Sequence, residues 1–575
     1  MIRFHVDATE AASQWLTCQM VIPDAPAHLR LNWPRWTPGS YLIREPLKYV
    51  TDLAASDVNG ALKVRREGAN AHIIRGAKGT VTITWRALAA ELTVRTNHMD
   101  AHHLHLVPAA TWPLPADTPA DAAFEVDFTL PGGWRAHSQM DRVEGDRFSV
   151  TGVDELYDGI VQCCADPVHT LAVDGLSFHF LFHDMGGLTP AASDVARFLD
   201  AAKLVLEEHH ATFGVPTWDD YLTVIHLTGG ARGGLEHLRS QSSMVPRTAM
   251  MPGDEDGWRD LVSLFSHEYL HVWNVKRLRP AAFVEYDLSA ESHTDMLWWF
   301  EGVTSWLGDI LCWRSGAWSE ADWHTDLARK LKRHWAGHGN AHQSLAESSH
   351  EAWIHLYRPH AHSRDMTISY YLEGEMAAIC LDAEIRRRTR GEVGLDDVCV
   401  HLWKQHGLDS PEGAPGGLGI DMAAVVAACN EVSGGRLGGV LHRLMEARGR
   451  PDLATAFGHL GKKFATSTET AWLGITLRPD GTVARVDPTG PAHGVLNPGD
   501  ELLFLDGIRI KSDADVKKLI RGREGETIDV LASHRGAQSA LQVTLAPMPS
   551  RPTKIEGRGN ALWRSLGESR RTQTS

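Results

Sequence analysis

The stretch Ser266-His267-Glu268-Tyr269-Leu270-His271 decides how the middle of the chain folds. Two histidines four positions apart lie on the same face of a helix, so both imidazoles can reach one metal ion. Glu268 flanks that ion without binding it, and is placed to take a proton from a water molecule. An apolar stripe at helical spacing surrounds the motif: Trp258, Leu261, Val262, Phe265, Tyr269 and Val272. The pattern predicts a helix over roughly 257–277 with a zinc site on it.

Two carboxylates compete for the place of third metal ligand. Glu291 follows His271 after nineteen intervening residues, and Glu301 follows it after twenty-nine. Glu301 is the one carboxylate in the apolar helical run 297–306, where an unpaired charge would be costly. Glu291 lies in a polar run that needs no ligand role to explain it. The sequence therefore favours Glu301 over Glu291.

The bulk composition excludes several classes of protein. The chain has 575 residues, 43% of them hydrophobic, and a formal net charge of −15. That negative charge argues against a general nucleic-acid binder. The sequence contains no apolar run of about 18 residues, so we expect no membrane-spanning helix. The first residues show no signal peptide, and the seven cysteines form no C-x-x-C pair. We expect free thiols in a reducing compartment, and hence a cytoplasmic protein.

The predicted secondary structure changes along the chain, which indicates a multidomain α+β protein. Residues 1–168 alternate short strands and turns, as at 81–85 and 124–130, which predicts a β-sandwich-like domain. Residues 169–460 predict a mixed sheet followed by helices near 192–212, 257–277, 294–313, 320–336, 370–390 and 420–448. Residues 467–548 return to short strands with one helix. The polar segment 551–575 predicts a disordered tail.

Several motifs together resemble the glycyl aminopeptidase family. They are Trp36-Thr37-Pro38-Gly39-Ser40-Tyr41, Gly233-Gly234-Leu235-Glu236-His237, His267-Glu268-x-x-His271-x-Trp273-Asn274-x-Lys276-Arg277, Leu297-Trp298-x-x-Glu301-Gly302-x-Thr304, Gln343–Ser349 and Ser369-Tyr370-Tyr371. The resemblance implies a gluzincin with an N-terminal β-domain, a thermolysin-like catalytic domain and a C-terminal PDZ domain. It also implies one zinc ion and removal of small N-terminal residues, glycine or alanine, from peptides with a free amino terminus.

The resemblance also assigns roles to residues outside the zinc helix. The glycines of Gly233-Gly234-Leu235-Glu236 would run beside the substrate, and Glu236 would bind its α-amino group. Tyr371 would donate to the oxyanion, with Tyr370 as the nearby alternative. Glu373 stands where the family usually has lysine, which leaves the local charge balance open. Asn274, Lys276 and Arg277 also match the family; we expect them either to anchor the end of the zinc helix or to support the metal ligands from behind, and not to be catalytic.

Residues 472–507 resemble a PDZ domain in the order of their motifs. A Leu473-Gly474-Ile475 segment opens the run, and Pro498-Gly499-Asp500 followed by an apolar strand comes later. By that resemblance, the backbone amides of 473–475 would cradle the carboxylate of a peptide C-terminus. The alternative is a PDZ fold used for packing or for contacts between subunits.

Two other functions remain open at this stage. The same metal site can serve a zinc hydrolase of another substrate class. The chain can also be a PDZ-mediated peptide-binding protein with little catalysis, although the intact Glu268 argues against that reading. The leading expectation is a zinc metallo-aminopeptidase whose catalytic residues are Glu268 and Tyr371, whose substrate-binding residues are Gly233, Gly234 and Glu236, and whose metal ligands are His267, His271 and Glu301.

Overall fold

A computed structural model describes residues 1–285, 287–408, 419–466 and 470–571. It contains an N-terminal β-domain, a central mixed sheet with a large helical region, and a smaller C-terminal unit with its own core. The predicted multidomain architecture, with β-structure first and mixed sheets and helices after it, is confirmed. In the described part of the chain, no helix is both long and apolar enough to cross a bilayer. All seven cysteines are free thiols.

The N-terminal domain consists of two sheets that enclose one apolar core. Its strands alternate buried and exposed residues, as in the run Ile2–Asp7, so one face of each sheet supplies the core. The elements of this domain are β1 Ile2–Asp7, β2 Trp15–Ile22, β3 His28–Asn32, β4 Val50–Asp57, β5 Gly60–Glu67, β6 Ala71–Arg75, β7 Val81–Leu88, β8 Ala90–Thr93, β9 Thr96–Met99, β10 His103–Leu106, β11 Leu114–Pro115, β12 Ala123–Thr129, β13 Arg135–Ser138, β14 Asp141–Glu144, β15 Arg147–Thr151, the short helix α1 Val153–Tyr157, and β16 Val161–Cys164. An 11-stranded sheet has the order β11-β3-β6-β5-β4-β7-β2-β1-β12-β15-β14. A 5-stranded sheet has the order β13-β16-β10-β9-β8.

The central sheet positions the functional segments. Its strands are β17 Val168–Val173, β18 Leu176–Asp184, β19 Asp220–Thr228, β20 Gly233–Glu236 and β21 Ser240–Pro246, in the order β17-β18-β19-β21-β20. β18, β19 and β21 run parallel, whereas β17 and β20 pair antiparallel at the two edges. β20 is therefore an edge strand, and one side of its backbone faces away from the sheet.

The helices of the central region pack on this sheet and on each other. They are α2 Ala192–Phe213, α3 Glu255–Leu270, α4 Thr304–Ser315, α5 Glu320–Ala336, α6 Leu345–His350, α7 Ser363–Met366, α8 Leu372–Thr389, α9 Leu395–His406, α10 Met422–Ser433, α11 Gly438–Glu446 and α12 Leu453–His459. A π-helical turn, Trp298–Val303, leads directly into α4. One apolar core spans the sheet and these helices.

Two predicted helices end earlier than the periodicity indicates. The helix predicted over 257–277 stops at Leu270, because the chain turns after His271 and Val275 takes a φ of 125°. The helix predicted over 420–448 is two helices, divided where Gly434 caps α10 with a left-handed φ of 62°. Apolar periodicity continues across both breaks, so it does not mark them.

The C-terminal unit contains β22 Lys463–Thr466, β23 Ala471–Trp472, β24 Ile475–Leu477, β25 Val483–Val486, β26 Glu501–Leu505, β27 Ile508–Arg509, α13 Asp513–Ile520, β28 Thr527–His534, β29 Ala537–Thr544, β30 Ala546–Pro547, β31 Pro552–Glu556 and α14 Ala561–Leu566. The strands from β23 to β30 and α13 share a separate apolar core. The predicted start of this unit, 467–469, lies outside the described residues.

The prediction of a disordered tail from residue 551 is wrong for residues 552–571. β31 pairs with β22, and α14 buries Trp563 against Trp313 and Trp323, at ring-centroid distances of 5.2 and 5.3 Å. Arg570 then pairs with the buried Asp396 at 2.9 Å. The segment is polar on average, but a few anchoring contacts order it. Residues 572–575 lie outside the described part.

Candidate active site

The helix α3 carries the histidine pair in its last turn. Asp254 caps its N-terminus by accepting a hydrogen bond from the amide of Gly257, and the apolar stripe packs into the main core. His267 and Glu268 lie in the helix, and His271 is its C-terminal cap residue. The side chains of Glu268 and His271 are buried, and that of His267 is 15% exposed. Packing of the stripe therefore fixes how the three polar side chains face.

The structure brings His267, His271 and Glu301 together. The Nε2 atoms of the two histidines are 3.0 Å apart, and Oε2 of Glu301 is 3.4 Å from the first and 3.3 Å from the second. Donor atoms bound tetrahedrally to zinc at about 2.0–2.1 Å lie roughly 3.3–3.4 Å from one another. This Oε2 is buried and has no hydrogen-bond partner among the described residues. Two imidazoles and one carboxylate at these separations fit a zinc ion.

Asn274 joins the end of α3 to the turn that carries Glu301. Nδ1 of His271 donates to the carbonyl of Asn274 at 2.8 Å, so Nε2 is the nitrogen that would bind a metal in exchange for its proton. Nδ2 of Asn274 donates to Oγ1 of Thr304 at 2.9 Å and to the carbonyl of Trp299 at 3.3 Å. The expected anchoring role of Asn274 thus has a definite geometry. It holds one histidine and the Glu301 turn in register.

Glu301 lies in the π-helical turn, which is packed tightly against α8. A Cβ on Gly302 would come 2.5 Å from the Cα of Gly374, so glycine is required for this approach. The alternative ligand, Glu291, is placed elsewhere. It is one-third exposed and pairs with His293 at 3.3 Å. The sequence favoured Glu301 because it lies in an apolar helical run, and Glu301 is the carboxylate that contacts the two histidines.

The electrostatics of the three donors reflect their burial and proximity. Burial alone would lower the pKa of His271, but the neighbouring carboxylate of Glu301 raises it to about 9. Burial would raise the pKa of Glu301, but His271 and His267 hold it at about 2. A carboxylate that stays ionised without a metal is already in the form that binds one.

Glu268 faces the edge strand β20. A Cβ on Gly234 would lie 1.9 Å from Oε1 of Glu268, so the absence of a side chain there makes room for the carboxylate. Burial raises the pKa of Glu268 to about 8, and the carboxylates of Glu236 and Glu301 add to the rise while His271 opposes it. A carboxyl with a raised pKa beside a metal site is suited to accept and return a proton.

Glu236 ends the edge strand and is 4% exposed. Its Oε1 makes no hydrogen bond among the described residues, and a Cβ on Gly39 would lie 2.6 Å from that atom. Oxygen atoms of Glu236 and Glu268 and a ring nitrogen of His271 lie within 4.8 Å of one another. A buried carboxylate without a partner, next to the metal ligands, is arranged to receive a cationic group.

Tyr371 lines the cavity, whereas Tyr370 is fully buried behind it. The Tyr371 ring centroid is 6.3 Å from that of His267, and its hydroxyl is 3.3 Å from the hydroxyl of Tyr357. Burial and the nearby Glu301 raise the pKa of Tyr371 well above its ordinary value, so the phenol keeps its proton. The sequence predicted one phenol at this position, that of Tyr371. The structure places a second phenol, that of Tyr357, next to it.

Glu373, which stands where lysine is usual, lies outside the cavity lining. Its carboxylate accepts from Nδ1 of His334 at 2.9 Å and from Nδ2 of Asn340 at 2.8 Å. Tyr371 and Glu373 thus belong to different surroundings although only two positions separate them. The carboxylate of Glu373 is used to hold α8 against α5 and the segment after it.

These residues line one cavity of about 490 Å³. Its lining includes Gly233, Gly234 and Glu236 of β20, His267, Glu268 and His271 at the end of α3, and Glu301. The N-terminal domain contributes Gly39 and Arg95, and Nη2 of Arg95 donates to the carbonyl of Gly234 at 2.9 Å. Sequence reasoning did not find Arg95, Tyr357 or Arg333 as cavity residues, since each lies on an element far from the motifs. Gly39 belongs to a quoted motif but was given no role.

The predicted PDZ loop lies away from this cavity. Leu473, Gly474 and Ile475 connect β23 to β24, and none of them lines the cavity. Gly474 has a φ of 83° and lies against Gly490. A Cβ on Gly474 would be 2.7 Å from the Cα of Gly490. Glycine is required here for the turn itself.

Comparisons with known proteins agree with this architecture. Two family profiles match: M61 glycyl aminopeptidase over residues 260–377, and the peptidase M61 N-terminal domain over residues 3–160. The comparison with curated proteins gives no match. The chain is similar in fold to the crystal structure of an aminopeptidase N family protein from Idiomarina loihiensis, with 23% sequence identity and a TM-score of 0.91, covering 98% of this chain and 100% of that one.

Weaker similarities exist to two other solved structures. An M1 zinc metallopeptidase from Deinococcus radiodurans has 13% identity and a TM-score of 0.47, covering 79% of this chain and 94% of that one. Yeast LTA4 hydrolase in complex with bestatin has 10% identity and a TM-score of 0.46, covering 78% and 68%. The two M61 profiles together cover most of the N-terminal β-domain and include His267, Glu268, His271, Glu301 and Tyr371. The chain is therefore similar to the M61 glycyl aminopeptidase family over residues 3–160 and 260–377.

Proposed function

We propose that the chain is a zinc-dependent aminopeptidase that removes small N-terminal residues, glycine or alanine, from peptides. The observation that carries this proposal is the buried, unpartnered Oε1 of Glu236 beside Glu268 and His271. A free α-amino group is the cation that such a carboxylate would pair with. The preference for a small residue follows the family's description as glycyl aminopeptidases.

His267, His271 and Glu301 would hold one zinc ion, whose chemistry in such sites is that of a Lewis acid. Glu236 binds the substrate ammonium and so sets the first peptide bond next to Glu268. Glu268 takes the proton from the attacking water and returns it to the departing amine. The Tyr371 phenol donates to the oxygen that becomes negative, with Tyr357 adjacent to it.

The experiment that tests this proposal is hydrolysis of a set of anilides of glycine, alanine and leucine, with N-acetyl-alanine anilide as the blocked control. We expect cleavage of the glycine and alanine substrates, loss of cleavage on removal of metal by a chelator, and recovery with zinc. The blocked substrate should resist cleavage, because its nitrogen carries no charge for Glu236. Equal cleavage of blocked and free substrates, or full activity in chelator, would contradict the proposal.

We also propose that residues 471–547 form a PDZ-like unit that binds a peptide C-terminus at 473–475. Support comes from the separate core, the single helix α13 and the glycine turn at Gly474. Binding of fluorescent peptides with free and amidated C-termini tests this assignment, and equal affinity for both forms would contradict it. A cytoplasmic location, expected from the free thiols, stays a proposal as well.

A further inference from the structure

Basic side chains line the cavity around Asp260, which lies about two turns of α3 before His267. The helix α5 presents Arg329, Lys330 and Arg333 to the cavity, and Arg232 enters from the residue before β20. These four cations share that part of the lining with two carboxylates, Asp260 and Glu375. Their placement points to a negatively charged group on whatever the cavity holds.

Three of the four cations already have carboxylate partners. Nε of Arg232 is 2.6 Å from Oδ2 of Asp260, and Nη2 of Arg329 is 3.2 Å from Oδ1 of the same aspartate. Nζ of Lys330 is 2.9 Å from Oε1 of Glu375 and also contacts Asp309. These contacts fix the positions of the three cations. They also use most of the carboxylates in this part of the cavity.

Arg333 is different, because it makes no ion pair and no side-chain hydrogen bond with any residue that the structure describes. Its side chain is exposed to the cavity. The cavity walls still remove part of the water around the guanidinium, and this desolvation lowers the pKa of Arg333 together with Arg364, Arg232 and Arg329, while Glu375 opposes the shift. The five donors of a guanidinium suit bidentate recognition of a carboxylate. Arg333 therefore has the charge and the open donors for an external anion.

The edge strand fixes how a substrate would run toward Arg333. A peptide whose amino group is at Glu236 and that extends along β20 must pass Gly234 and Gly233 and then reach Arg232. Four positions along a strand span about 13 Å, at ~3.3 Å per residue. An extended peptide of about three or four residues covers that distance from amine to carboxylate. Glu236 and the cations thus match the two charged ends of a short peptide.

We propose that Arg333, beside Arg232 and Arg329, binds the C-terminal carboxylate of tripeptide and tetrapeptide substrates. The chain would then act on short peptides that have both termini free, and Arg333 would determine specificity for their length. This inference rests on the proposed aminopeptidase function. We assign the anion to the α-carboxylate, because the distance along the strand from Glu236 to Arg232 matches the length of such a peptide. An acidic side chain at the third residue of the peptide is the alternative source of the anion.

The test compares Gly-Ala-Ala with its C-terminal amide, Gly-Ala-Ala-NH2, and with Gly-Ala-Asp-NH2, using the zinc-loaded full chain. In the wild type we expect kcat/KM for the free acid to exceed that for the amide by about tenfold or more, mainly through KM. Arg333→Gln should bring the ratio of acid to amide close to one, and Arg333→Glu should invert it. Lys332→Gln is the matched control, since Lys332 is an exposed cation on the same helix outside the cavity lining.

Each outcome decides one of the two proposals. Equal cleavage of acid and amide by the wild type overturns the carboxylate site and leaves the aminopeptidase proposal standing. A wild-type preference that survives in Arg333→Gln places the carboxylate elsewhere and also overturns it. Preference for Gly-Ala-Asp-NH2 over both other peptides assigns the cations to an acidic side chain instead. Failure of the wild type to cleave any of the three peptides contradicts the aminopeptidase proposal itself.

Discussion

Gly234 and Glu268 approach so closely that a Cβ on the glycine would lie 1.9 Å from Oε1 of the carboxylate. One residue belongs to the edge strand that would lie beside a peptide, and the other to the zinc helix. The contact therefore fixes the distance between the substrate backbone and the group proposed to move the proton. Substitutions at this position test the geometry without removing any reactive side chain.

Gly234→Ala should lower kcat/KM for Gly-Ala-Ala about a hundredfold, because Glu268 must move away from its position. Zinc content should be unchanged, since Gly234 is not among the ligands. Gly229→Ala is the matched control: it lies in the same glycine-rich loop, and a Cβ there meets nothing within 4 Å. Similar losses in both variants would show that the loop, and not the Gly234–Glu268 contact, is responsible.

Glu236→Gln should reduce kcat/KM for peptides with a free amino group by about ten- to hundredfold, because a charge-assisted hydrogen bond is replaced by a neutral one. Steady-state kinetics with Gly-Ala-Ala and N-acetyl-Gly-Ala-Ala measure the change. The discrimination between free and blocked peptides should shrink in the variant. If the variant discriminates as well as the wild type, Glu236 does not bind the amine.

Asn274→Ala should weaken zinc binding by roughly ten- to hundredfold, because the Glu301 turn loses the side chain that ties it to the segment whose backbone carbonyl holds His271. Competition with a chromogenic chelator measures the affinity. Asn560→Ala removes an asparagine that caps α14 and should leave zinc affinity unchanged. An Asn274 variant that binds zinc as the wild type does would remove this alignment role.

The local part of the site could be predicted from the sequence because it depends on helical periodicity. The i, i+4 spacing places His267 and His271 on one helix face. The apolar run around Glu301 indicates that this carboxylate is buried. Both signals lie within a few residues of the sequence. The end of α3 could not be predicted, since it depends on the side chain of His271 donating to Asn274 after the turn. A polar contact of that kind leaves no periodic signal.

Residues that reach the cavity from distant elements could not be found in this way. Arg95 comes from the N-terminal domain and bonds to Gly234, 139 positions along the chain. In the sequence, Arg333 is an ordinary cation on an amphipathic helix. That it has no ion-pair partner among the described residues is visible only once α3 and β20 are placed beside α5. Trp563 likewise looks isolated in a polar tail until Trp313 and Trp323 surround it.

Stability should fall in acid through buried imidazoles between the β-domain and the central sheet. Burial lowers the pKa of His105 from 6.5 to about 3, with contributions from His237, His98 and His183. Between these values the unfolded chain binds a proton that the folded chain does not, so stability is complete above pH 6.5 and declines as the pH falls. One such group contributes a slope of at most ~1.4 kcal/mol per pH unit.

His105→Met should make that decline shallower, and His28→Met, at an exposed position, should leave it unchanged. Denaturant unfolding measured from pH 7 to pH 4.5 gives the free energy of unfolding for each variant. An identical slope in His105→Met and the wild type would show that His105 does not titrate between the two states.

Zinc content and peptide hydrolysis, measured on the same preparations of the wild type and Glu268→Gln, test the central claim most directly. We predict about one zinc per chain in both proteins. Hydrolysis of Gly-Ala-Ala should fall about a thousandfold in the variant, because a general base is lost while the ligands remain. Wild-type activity in Glu268→Gln, or full wild-type activity in a preparation that contains no zinc, would contradict the account.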